Sequence, residues 1–65
     1  MQNLNAEQII KVSSERFYQE IGQKDVILEV VEPFPYKIDF KLRRSGKVVG
    51  YQDRDSSYYV MTSED

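Results

Sequence analysis

The sequence predicts an α+β fold, with one N-terminal helix packed on a four-stranded antiparallel meander in the order α-β-β-β-β. Three observations predict it: apolar residues at helical spacing near the N-terminus, strict alternation from residue 36 onward, and turn residues at short intervals between the later runs. The 65 residues make one small domain, 1–65, with a thin core, because a chain of this length buries only about 60% of its unfolded surface.

LNAEQIIKVSSERFYQEIG reads as the helix. Asn5 is an N-cap residue, Gln8 closes a capping box, and Leu4 staples to Ile9. At 100° per residue Ala6, Ile10, Ser13, Phe17 and Ile21 share one arc, the expected core face. Ser13 and Ser14 are small enough there to admit a close sheet. Glu7 with Lys11 and Glu20 with Lys24 are i,i+4 pairs, and Gly22 is expected to end the helix in the left-handed conformation. VILEVVE, residues 26–32, is β-branched and short, hence a strand. Pro33 and Pro35 interrupt it, since neither offers a backbone N–H to a ladder.

YKIDFKLR alternates cleanly, with Tyr36, Ile38, Phe40 and Leu42 on one face and Lys37, Asp39, Lys41 and Arg43 on the other. Ser45-Gly46 marks a hairpin turn in which glycine supplies a positive φ. KVVGYQ returns as the third strand, DRDSS links to the fourth, SYYVMT, and the final SED is expected to fray. Short links make neighbours antiparallel, and one helix covers one sheet face. The layout resembles that of cystatin-like folds, a sheet curled around a helix, in arrangement alone and with no shared motif. A double-stranded-RNA-binding domain also opens helix, strand, strand, strand, but it requires a closing basic helix where this chain has SYYVMTSED.

Composition narrows the chemistry. There is no cysteine and no histidine, so thiol nucleophiles, the usual general base and the common transition-metal ligands are missing. The three glycines are isolated and form no phosphate loop, and a domain this small has little volume for a substrate pocket. No enzymatic activity, cofactor or small-molecule substrate is expected. Asp53, Asp55, Ser57 and Glu64 occupy calcium-loop positions, but Tyr58 stands where that loop needs glycine, and no metal site is expected. No run approaches the roughly 18 apolar residues of a membrane span, and MQNLNAEQ lacks signal-peptide character, so the cytoplasm is the expected location.

Charge is unevenly distributed. Net charge is −2, yet residues 36–51 carry Lys37, Lys41, Arg43, Arg44 and Lys47 against Asp39, or +4, leaving −6 for the rest. A basic hairpin with an aromatic such as Tyr51 is the expected grip if the partner is nucleic acid. Against that stands a pI of 5.0, where dedicated binders usually exceed about 9. Basic residues also serve to keep strand edges from aggregating, and Glu29 is placed to pair with Lys41 across the sheet.

Apolar surplus points to a protein partner. The strands are apolar on both faces, so Val31, Val49, Tyr51, Tyr59 and Met61, with Ile27, are expected on the face away from the helix, open to water unless something covers them. With no disulfide available to brace so small a core, self-association is the remaining staple. The sequence therefore reads as a non-catalytic interaction module, an adaptor, inhibitor or accessory subunit. It is expected to bind a protein partner or form a homodimer through a sheet face, with Lys37, Lys41 and Arg43 orienting the encounter. Nucleic-acid binding through the hairpin is the alternative.

Overall fold

The computed structural model describes residues 8–62. Its elements run β1 (Gln8–Val12), α1 (Ser14–Ile21), β2 (Val26–Val31), β3 (Lys37–Leu42), β4 (Val48–Gln52) and β5 (Tyr58–Thr62). All five strands form one antiparallel sheet in the order β1-β5-β4-β3-β2. The expected meander is present as β2 to β5, and a fifth strand, β1, is added beside β5.

That strand corrects the expected helix. Gln8–Val12 holds three β-branched residues in five, which lose side-chain freedom in a helix and pack well on a pleated surface. The helix begins one cap later, at Ser13, whose Oγ accepts the Arg16 N–H at 3.1 Å from an extended backbone at φ −71° and ψ 159°. Gln8 and Ile9, read as capping-box and staple partners, lie in β1; Leu4, Asn5, Ala6 and Glu7 fall outside the described residues. Gly22 also departs from expectation. It keeps a right-handed φ of −65° and donates its N–H to the Tyr18 carbonyl. Within the helix, the i,i+4 ion pair joins Arg16 to Glu20 at 2.6 Å.

The shortened helix, about 12 Å long, lies across β4 and β5. Phe17 and Ile21 point down between Phe40 of β3 and Val60 of β5, and among the described residues these four side chains are the buried core. Phe17 is the hub, with its ring centroid 4.9 Å from both Phe40 and Tyr58. Between Phe40 and Val60 the sheet offers Gly50, paired to both. A Cβ there would lie 2.8 Å from Phe17 Cε1 and 3.0 Å from the Tyr59 carbonyl, so the close approach expected of Ser13 and Ser14 is provided by the sheet instead.

The β3–β4 hairpin turns at Gly46, with φ +78° and its N–H donated to the Leu42 carbonyl. The register then slips, Phe40 opposing Gly50 but Lys41 opposing Val48, which leaves Val49 as the extra residue of a bulge. No helix among the described residues is long and apolar enough to cross a membrane.

Candidate interaction surface

Cross-strand partners share a face, so the register sorts the side chains. Tyr51 opposes both Tyr59 and Asp39, Met61 opposes Ile9, and Val31 opposes Lys37. Val31, Tyr51, Tyr59 and Met61 therefore lie together on the face away from α1, as the alternation predicts. Val49 does not join them: the bulge turns it inward, and it packs against the core cluster.

This far face is partly closed by its own side chains. Tyr51 and Tyr59 stack at 5.0 Å with rings 20° apart, and Lys37 Nζ sits 4.5 Å from the Tyr51 centroid. Burial, aided by the carboxylates of Asp53 and Asp39 and by Tyr59, raises the Tyr51 pKa. All four candidate residues are half-buried rather than open.

The basic ribbon is laced with carboxylates. Lys37 lies 3.6 Å from Asp39, Lys41 pairs with Glu29, and Arg43 Nε donates to Asp25 Oδ1 at 3.1 Å. The hydrogen bond that Lys41 donates to the Glu29 carboxylate raises the Lys41 pKa. Arg44 and Lys47 are exposed beside the turn, where the Lys47 N–H also reaches Ser45 Oγ. In the β4–β5 link, Asp53 Oδ1 accepts the Arg54 N–H and Asp55 Oδ1 accepts the Ser57 N–H, so both carboxylates cap backbone donors.

Among the described residues, Ile9 on the far face is 57% exposed, and a larger group of exposed apolar residues lies at β2 and just beyond it. Leu28 opposes Phe40 and Val30 opposes Ile38, so both face the helix side, but α1 stops over β4 and leaves them uncovered at 58% and 55% exposure. Phe34, 78% exposed, meets Tyr36 edge-on at 5.5 Å beyond the end of β2. The loop that carries Phe34 is held by Arg54, which donates Nη1 to the Pro33 and Pro35 carbonyls at 2.6 and 2.8 Å and Nη2 to that of Glu32. Sequence reasoning missed this flank because it assumed a helix long enough to shade the whole sheet. The spacing of Ser13 after IIKV was the available signal.

The backbone along this flank is open as well. Arg43 N–H bonds the opposite carbonyl of Asp25, which makes that pair a hydrogen-bonded one and sets the alternation for the whole ladder. Ile27, Glu29 and Val31 thus turn their amides toward β3, whereas Val26, Leu28 and Val30 turn theirs outward, where no described strand follows β2. No protein-family model matches the chain, and no match is found among curated proteins or solved structures.

Proposed function

We propose that the protein is a small cytoplasmic, non-catalytic interaction module that binds a protein through the outer flank of its sheet, formed by β2 and the β2–β3 loop. One observation carries this reading: Leu28, Val30, Phe34 and Tyr36 are all exposed along one flank of so small a domain. Isolated apolar residues on a surface are ordinary, but four on or next to a strand edge that pairs with no described strand are characteristic of a recognition surface. The docking face moves from the tyrosine side expected from sequence to the side that α1 leaves bare. Pairing of Lys37, Lys41 and Arg43 with carboxylates favours a protein partner over phosphate, because a phosphate would have to displace Asp39, Glu29 and Asp25. Those ion pairs retain a role in orienting the encounter.

The test places a photo-crosslinking phenylalanine analogue at position 34 or, as a control, at position 16 on the exposed side of α1. The expected outcome is a protein adduct from position 34 that disappears when Leu28→Glu is added, and none from position 16. Equal labelling from the two positions, or no adduct from position 34, overturns the reading.

A further inference from the structure

We infer that the occupant of this flank is a second copy of the chain, joined by antiparallel pairing of β2 with β2 around a two-fold axis through Leu28. The inference rests on the interaction reading above and names its partner. An unpaired, apolar edge strand is a template for another strand unless a charge, a proline or a bulge blocks it. β2 carries none of these toward its edge. Pro33 and Pro35 lie beyond the strand, and the one charge within it, Glu29, has its side chain on the far face in an ion pair with Lys41. The opposite edge among the described strands, β1, carries Lys11 one residue from its C-terminal end.

The alternation of the ladder and the charges select a register. Outward amides belong to Val26, Leu28 and Val30 in both copies, so even-numbered residues must oppose even-numbered ones. Centring the axis on Glu29 sets two glutamates face to face at the closest cross-strand spacing, and centring it on Ile27 opposes Asp25 to Glu29. Centring it on Val30 runs Val26 past Pro33 of the other copy and off the end of its strand. Only the register through Leu28 pairs Val26 with Val30 of the second copy, Leu28 with Leu28 and Val30 with Val26, each pair exchanging two backbone hydrogen bonds. Beyond the strand ends, the same register brings Lys24, in the bend before β2, toward Glu32 of the second copy, in the bend after it, at both ends, an opposite-charge match that arises from no other centre. Because the axis stands perpendicular to the sheet, both helices lie on one side. Leu28 then meets Leu28 and Val30 meets Val26 of the second copy on the helix side, covering the side chains that α1 leaves bare.

Sedimentation velocity of the full chain from about 1 μM to about 1 mM tests this. The mass should rise from one chain to two. Leu28→Pro removes an outward N–H at an edge position, where proline is tolerated, and should raise the midpoint concentration at least about tenfold. Lys24→Glu and Glu32→Lys change exposed side chains and leave the fold intact; each alone should weaken the dimer, and the two together should restore it. A chain that stays monomeric throughout, a midpoint unmoved by Leu28→Pro, or a double charge swap that fails to restore association overturns the pairing. A monomer that still crosslinks from position 34 to a different protein overturns the dimer and leaves the interaction reading standing; a monomer with no such adduct overturns both.

Discussion

Phe17 stands on Gly50: its Cε1 lies 2.8 Å from where a Cβ on that glycine would be, with the Ile21 Cδ1 3.2 Å away. Gly50→Ala therefore forces Phe17 or the Tyr59 backbone to shift, within a core that has four buried hydrophobic side chains among the described residues. Overpacking of this kind costs about 1–3 kcal/mol. A urea melt should give a lower midpoint with an unchanged slope, and an unchanged midpoint would mean that the helix is free to rise off the sheet.

The helix start is tested at Ser13. Its Oγ accepts the Arg16 N–H, and Ser13→Ala should cost about 1 kcal/mol, the usual worth of an N-cap. Ser14→Ala, one residue inside the helix, should be neutral or slightly stabilising, since alanine is the better helix former. The reverse order in thermal melts would place the cap elsewhere.

Raised tyrosine pKa values give a signed pH dependence. Burial, then the Asp53 carboxylate, lift Tyr51 above the ordinary 10.0, and Tyr18 is lifted chiefly by its hydrogen bond to Tyr58. A group whose folded pKa exceeds its unfolded value contributes stability that is complete below the unfolded value and is lost as pH rises through the folded one. Stability should therefore fall on the alkaline side of pH 10.0, and Asp53→Asn should bring the Tyr51 ring titration, followed by NMR, back toward that value. A Tyr51 titration insensitive to Asp53→Asn would remove that carboxylate as a cause.

Arg54 fixes the loop that presents Phe34. Its planar fork serves three carbonyls, a geometry lysine cannot reproduce. Arg54→Lys should cost about 1 kcal/mol and broaden the NMR signals of residues 32–36 while leaving β4 and β5 unchanged. Sharp, unshifted loop signals in the variant would show that the prolines alone set its shape.

The alternation of Ile38 and Phe40 with Lys37, Asp39 and Lys41 was enough to place β3, its two faces and the Glu29–Lys41 pair, because a period of two leaves little freedom once one face is buried. Residues 8–12 were harder. Ile10, Ser13, Phe17 and Ile21 fit helical spacing as well as a strand followed by a cap, and only pairing with β5, far along the chain, decides between them. That one difference is what hid the exposed flank of β2. A sixteen-residue helix shades a sheet about 19 Å wide, whereas eight residues leave Leu28 and Val30 bare. Val49 was misplaced for a different reason: nothing in VVG announces the bulge that turns it inward.

The outward-facing amides of β2 offer the most direct measurement. Hydrogen exchange followed residue by residue should find the Ile27, Glu29 and Val31 amides protected at every concentration, held by β3. Those of Val26, Leu28 and Val30 should exchange quickly in dilute solution and slow as the chain is concentrated. If these three amides exchange quickly at all concentrations, the edge pairs with no second copy.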